Sequence, residues 1–438
     1  MAPSERFNIL YLHTHDIGRY IQPYGYAMPT PNLQQLAEEG VLFRQAFCTN
    51  PTCSASRSSL LTGMYPHNNG MTGLAHRGWS LNDYDQHIVH TLQDAGYTTA
   101  LAGVQHVASH QDGEPWKVIG YDTWLGNEGA EERAAAYLTS ELQEPFFLSV
   151  GFSDPHREFE PVSDAGDPRY VRPPDPIPDT PETREDMARL MSSARTVDAK
   201  MGTVLDALER AGLAERTLVI CTTDHGIAFP RMKCNLTDDG IGVMLILRGP
   251  EGFEGGRVVD KLVSHIDIFP TICDLLDIEP PPWLQGVSLM PMMHGEVDRA
   301  RDEIFGEVNY HAAYEPMRCV RTERWKYIQR FEDRDGPVLT NCDDSVTKDL
   351  WLEYGWADMP PDEEALYDMI FDPHETNNLV GHPRAADALA DMRARLDAWM
   401  EATDDPLLEG PVAAPEGAVV NDPDGLSPRE KPQPAADL

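Results

Sequence analysis

The run Cys53-Ser54-Ala55-Ser56-Arg57-Ser58-Ser59-Leu60-Leu61-Thr62-Gly63 sets a lone thiol among small residues just ahead of a short apolar stretch. It reads as a reactive side chain at the start of a helix. First-turn amides lack intrahelical partners and the helix dipole favours negative charge, so an anion is stabilised there. Arg57, one turn on, adds a fork of donors suited to a tetrahedral oxyanion. By itself the run is an anion site containing a nucleophile; the bland alternative is a buried cysteine that only packs.

Three apolar runs that read as buried strands end in polar residues. Phe7–Leu12 leads to His13-Thr14-His15-Asp16, Pro145–Phe152 to Ser153-Asp154-Pro155-His156, and Thr217–Thr222 to Thr223-Asp224-His225-Gly226. The carboxyl ends of strands are where α/β proteins bind ligands. Between them, Thr30–Gly40 has a Thr cap, Pro in the first turn, helical apolar spacing and a final Gly, and the strand Val41–Phe47 delivers the Cys53 loop.

The Cys53 run resembles the type I sulfatase signature, Cys-x-Pro/Ala-x-Arg followed by four residues and Thr-Gly. The resemblance implies that Cys53 is oxidised to formylglycine by a formylglycine-generating enzyme, and that the fold is that of the alkaline-phosphatase-like superfamily. It further implies that Asp16, Asp224, His225 and residue 53 hold a divalent cation, with His15 standing where the family has a second Asp. His15 is either a ligand through an imidazole nitrogen or a residue that holds Asp16. Ca²⁺ is the family's metal, while imidazole donors would favour Mn²⁺ or Zn²⁺. Arg57, His106, His156 and Lys233 inherit catalytic roles. His106 serves the formylglycine hydroxyl, and His156 and Lys233 neutralise the leaving group, an imidazole being well placed in pKa to protonate an alkoxide.

One departure stands out. Val104-Gln105-His106 occupies the place of Gly-Lys-x-His, so the lysine that bridges formylglycine and sulfate is missing. Lys to Val removes a positive charge and Asp to His at position 15 removes a negative one, leaving the local sum unchanged; an uncompensated buried charge would cost several kcal/mol. The expectation is that His15 or Arg19 takes over part of the missing lysine's role. In the loop Tyr65–Met71, His67 and Asn68 either meet a substrate or pin the loop.

With Lys+Arg 35 against Asp+Glu 72 the formal charge is -37, which argues against nucleic acid or an anionic membrane as partner. The seven cysteines lack paired spacing, and Met1–Arg6 runs into a strand without an apolar signal core, so a cytoplasmic protein is expected. A homo-oligomer is compatible with the sequence. The expected architecture is α/β: a large, mostly parallel mixed sheet flanked by helices in residues 1–299, and a smaller antiparallel-sheet subdomain in 300–408, with Met317–Ile328 as its edge strands. Residues 409–438, rich in Pro, Gly and Asp, are expected to be an irregular or disordered tail.

The implied activity is hydrolysis of a sulfate ester or sulfamate on a small molecule or saccharide. Phe152-Ser153-Asp154-Pro155-His156-Arg157 and Asn69-Gly70-Met71 look like the N-sulfoglucosamine sulfohydrolase branch. Alternatives are a phosphonate monoester or phosphodiester hydrolase of the same superfamily, and a degenerate sulfated-glycan-binding protein.

Overall fold

Strand β1 (Asn8–Thr14) is buried along its whole length, with Ile9 and Tyr11 packed in the apolar layer on one side of the sheet and Leu10 and Leu12 in the layer on the other. A strand covered on both faces needs the continuous apolar run seen here rather than alternation. The computed structural model describes residues 6–437; expectations for Met1–Glu5 and Leu438 lie outside them.

Around β1 are β2 (Val41–Phe47), β3 (Thr98–Gly103), β4 (Thr123–Gly126), β5 (Phe146–Gly151), β6 (Thr217–Thr223), β7 (Leu245–Arg248) and β8 (Arg257–Ser264). They form one sheet in the order β4-β3-β5-β1-β6-β7-β2-β8. All neighbours are parallel except β7, which is antiparallel to β6 and β2. The three polar strand ends therefore belong to adjacent central strands and emerge at one edge. Helix α1 (Pro31–Glu39) starts at Pro31 as its sequence predicts. Its first amides are satisfied from outside: Asp198 of the long helix Pro181–Arg210 accepts from Asn32 N at 3.2 Å and Leu33 N at 2.9 Å. Thr180 and Thr183 form a capping box on that long helix.

A second, antiparallel sheet has the order β12-β11-β10-β9, from β9 (Glu303–Tyr310), β10 (Tyr314–Thr322), β11 (Trp325–Arg330) and β12 (Glu364–Asp368). Met317–Ile328 thus supplies the two inner strands, not edge strands. Their alternation is that of a sheet whose one face is sealed by the helix Ala386–Ala402, where Met392, Leu396 and Trp399 pack on Val320, Tyr327 and Leu366.

The tail holds little regular structure and is tied to the rest of the chain. Val419–Val420 pairs with Gln433–Pro434, and Asn421 is fully buried, its N–H donating to Ala312 O at 2.7 Å and its Oδ1 accepting from Arg77 at 2.7 Å. A composition that cannot build its own core is ordered here by hydrogen bonds to the rest of the chain. No helix among the described residues is long and apolar enough to cross a membrane.

Candidate active site

Helix α2 (Cys53–Thr62) begins with Cys53 in its first turn, and all ten of its residues are buried. Thr52 is the N-cap residue but makes no side-chain cap, and Gly63 closes the helix with φ 67°, a left-handed conformation that glycine adopts without strain. The Thr-Gly end of the run is therefore a helix stop, and its Cys-x-x-x-Arg start places Cys53 and Arg57 on one face, one turn apart.

Arg57 is almost fully buried and ties α2 to two strand ends. Its Nη2 donates to Thr14 O at 2.8 Å and Asp224 Oδ2 at 2.9 Å, and its Nη1 meets His13 Nδ1. The exits of β1 and β6 are locked together: Asp224 Oδ1 accepts from Asp16 N at 2.9 Å, and Gly18 N donates to His225 O at 2.9 Å. Gly226 lets the β6 exit pack on the following turn as well, since a Cβ there would fall 1.8 Å from Asp239 O. Asp16 and His106 both have positive φ, 45° and 63°. Such sparsely populated backbone for non-glycine residues collects at functional sites.

The side chains of His15, Asp16, Cys53 and Asp224 bring four donor atoms within 4.8 Å of one another, and all four residues are buried. His225 Nε2 lies 3.4 Å from Cys53 Sγ and 3.5 Å from Asp16 Oδ1. Its Nδ1 sits 3.0 Å from Gly226 O, which can only accept, so Nδ1 carries a proton and Nε2 is the nitrogen turned toward Cys53 and Asp16. Asp16 Oδ1 has no hydrogen-bond partner among the described residues. A carboxylate oxygen and an imidazole nitrogen facing each other in a buried space fit a divalent cation, and that mix of donors fits Mn²⁺ or Zn²⁺ as well as Ca²⁺.

Lys233 closes the site, its Nζ 2.8 Å from Asp16 Oδ2 and 3.0 Å from Asp343 Oδ2. Burial opposes its charge, yet Asp16 and Asp343 raise its pKa well above normal. Burial likewise pushes up the carboxyl of Asp16, but Lys233, His156 and His225 hold it below its ordinary value. Asp224 is similar: burial is outweighed by His225, Arg57 and His15. The Cys53 thiol, in contrast, is raised well above its usual pKa by burial, against the pull of Lys233. The pocket holds an unmodified cysteine as a protonated thiol, a poor nucleophile.

His106 and His156 converge on His15, with ring centroids 5.3 Å and 5.6 Å away. Burial, then His15 and Arg57, lowers His106 well below the ordinary histidine range, leaving it neutral and able to accept a proton. The His156 loop is anchored by Arg157, bidentate to Asp186 at 2.7 and 2.8 Å and 4.1 Å above the Phe159 ring.

Several sequence expectations need correction. His15 Nδ1 lies 3.0 Å from Asp224 Oδ2, so the carboxylate beside it is Asp224 rather than Asp16. Burial and Arg57 bring His15 down to about 4, so it is neutral near pH 7 and does not replace a lysine's charge. Arg19 turns away from the site: its guanidinium lies 4.3 Å over the Phe47 ring and donates to Ala46 O at 2.8 Å. The positive-φ residues Asp16 and Gly18 redirect the chain just before it.

His67 and Asn68 pin their loop rather than face a substrate. His67 is bound through N and Nδ1 to buried Glu307, and Asn68 donates to Thr403 O at 2.7 Å and accepts from Gln285 at 2.7 Å. Val104 instead lines a cavity of about 600 Å³ with His76, His106, Trp116 and Trp124.

Sequence reasoning missed two site residues. Asp343 reaches Lys233 from the loop after Leu339–Asn341, and His311 stands at the β9–β10 turn, buried, where Lys233, Asp343 and His225 act on it. Loop residues without periodicity or motif spacing carry no local signal.

The sulfatase family model matches residues 8–137 and 131–278, and a model for the C-terminal region of N-sulphoglucosamine sulphohydrolase matches residues 230–345. The chain is 31% identical to N-sulphoglucosamine sulphohydrolase of Homo sapiens, over 93% of this chain and 90% of that protein. A protein solved with its substrate D-glucosamine-2-N,6-O-disulfate superposes with a TM-score of 0.69 at 20% identity, covering 92% of this chain and 99% of that one. The phosphonate monoester hydrolase of Silicibacter pomeroyi superposes with a TM-score of 0.66 at 18% identity, covering 91% and 96%. These likenesses share the alkaline-phosphatase-like fold. The chain belongs to the sulfatase family and is a sulfuric ester hydrolase.

Proposed function

We propose that the enzyme hydrolyses a sulfate ester or sulfamate on a carbohydrate, with residue 53 acting as formylglycine beside a divalent cation. The observation that carries this reading is the convergence of Cys53, Asp16, Asp224, Arg57 and Lys233 from distant segments into one buried pocket. An amino sugar is the favoured substrate, from the likeness to N-sulphoglucosamine sulphohydrolase along the chain. Hydrated formylglycine would supply a geminal diol, one hydroxyl for attack and one for release, and a bound cation would lower the diol's pKa and polarise sulfate oxygens.

The chain's own residues divide the remaining work. His15, Asp16, Asp224 and His225 would hold the cation. The N-terminus of α2 favours negative charge at residue 53, and Arg57, its Nη groups taken by His13, Thr14 and Asp224, holds the strand ends that carry Asp16 and Asp224 in place. Lys233 neutralises the leaving oxygen or nitrogen, and His156 protonates it. Neutral His106 takes a proton from residue 53 when sulfate is released.

The test is the mass of the proteolytic fragment containing position 53, together with rates on aryl sulfate and aryl phosphonate. The mass decrease for thiol-to-aldehyde conversion and a sulfate preference are expected; unmodified Cys53 with phosphonate preference contradicts the reading. Calcium, manganese and zinc are separated by metal analysis of purified enzyme, with a first-row metal favoured by the His15 and His225 nitrogens.

A further inference from the structure

Beyond Lys233, the pocket is walled by the second sheet. His311 sits in the turn joining β9 and β10, and that turn is fixed from several directions. Asn341 clamps it, its Oδ1 accepting from Ala313 N at 2.9 Å and its Nδ2 donating to Ala313 O at 3.3 Å. Ala312 O accepts from Asn421 N at 2.7 Å and from Arg77 at 3.3 Å. Two residues past Asn341 comes Asp343, 3.0 Å from the lysine that faces the leaving group. His311 Nδ1 is buried and has no hydrogen-bond partner among the described residues. The His311 imidazole is buried at this turn, and the Asp343 carboxylate, 17% exposed, stands beside Lys233 in the loop that carries Asn341, so one clamp fixes both. Fixed, incompletely paired polar groups at a pocket wall are the form that ligand recognition takes.

We propose that His311 and Asp343 form a specificity subsite that binds hydroxyl groups of the sugar ring on the leaving-group side. This rests on the sulfatase reading above. A hydroxyl both donates and accepts, and so satisfies a carboxylate oxygen and an imidazole nitrogen at once. A substrate carboxylate would meet Asp343 as a like charge in a desolvated wall, which is strongly unfavourable. The subsite therefore selects a neutral or amino sugar over a uronate. Lys233 keeps Asp343 ionised against the cost of burial, and His156 and His311 also act on that carboxylate, which places it among the leaving-group residues.

The test compares His311→Ala and Asp343→Asn with wild type on two sulfamates, D-glucosamine N-sulfate and cyclohexyl sulfamate, in the same preparations. Both release an amine and only the sugar carries ring hydroxyls, so the ratio of the two kcat/KM values is independent of how much enzyme is folded, and damage to Lys233 lowers both rates together. Losing a hydrogen bond to a substrate hydroxyl should lower the sugar-to-cyclohexyl ratio at least about fivefold in each variant. A smaller change in either removes that residue from the subsite. A wild type that does not hydrolyse the sugar overturns the subsite, and one that also fails on cyclohexyl sulfamate and on 4-nitrophenyl sulfate overturns the sulfatase reading with it.

Discussion

Two buried clusters in this enzyme are built from nearly the same parts and differ in how their carboxylate oxygens are met. One is His15, Asp16, Cys53 and Asp224; the other is His67, Glu307 and Asp405. In the second, every carboxylate oxygen is met, and the atom left without a hydrogen-bond partner is His67 Nε2. Arg318 is bidentate to Asp405 at 2.5 and 2.9 Å, and both Glu307 oxygens receive N–H groups of His67. Trp399 then covers the His67 ring edge-on at 5.5 Å. In the first, Arg57 and Lys233 each engage one carboxylate oxygen, leaving Asp16 Oδ1 without a hydrogen-bond donor and His225 Nε2 turned toward it. Composition alone does not separate a cation site from a structural ion cluster; the separation lies in which oxygens remain unmet. The second cluster joins the loop after α2 to the second sheet, and the open oxygen of the first is what the proposed cation site rests on.

The comparison is broken most sharply by removing one carboxylate from each. Asp224→Asn takes away a candidate metal ligand and Arg57's partner, and kcat/KM should fall at least about 100-fold, the scale seen for losing even an outer partner of a metal site. Asp405→Asn should instead leave kcat/KM of the folded enzyme within about threefold while lowering unfolding free energy by roughly 3–5 kcal/mol, because Arg318 loses its buried counter-charge. Denaturant titration checks the second figure. Equal losses of activity in the two variants would mean the clusters are not functionally distinct.

What was legible beforehand follows the same division. The strand-end pairs Asp16 and Asp224-His225, and the Cys53–Gly63 run, were readable because a buried parallel strand must end in polar residues and a helix start has its own local chemistry. Nearness in sequence suggested the site for Arg19, but the chain turns at Gly18; for His67 and Asn68 it left substrate contact and loop pinning open, and contacts to Glu307 and Thr403 decide for pinning. Asp343 and His311 were invisible because long-range packing, which no window of sequence contains, brings their loops to Lys233. For the tail after residue 409 composition left an irregular arm and disorder as alternatives, because its order is supplied by Ala312 and Arg77 rather than by its own residues.

The smallest effect comes from a buried histidine belonging to neither cluster. His87 is fully buried and caps a helix by accepting from Val89 N at 3.3 Å. Burial, then His90, lowers its pKa from 6.5 to about 3. The unfolded chain takes up a proton here below about 6.5 while the folded chain does not, so the group's contribution to stability is complete above that pH and is lost as pH falls toward 3. His87→Asn keeps a capping acceptor and should flatten the acid limb by up to about 1.4 kcal/mol per pH unit. An unchanged limb in pH-dependent unfolding contradicts the assignment and shifts acid sensitivity to the ion clusters.

The central claim, that one of two look-alike clusters is the cation site, is tested most directly by anomalous diffraction from crystals of the enzyme loaded with Mn²⁺. The account predicts a single strong peak bounded by Asp16, Asp224, His225 and residue 53, and none at His67, Glu307 and Asp405. A peak at the second cluster, or loaded protein with none at the first, contradicts it.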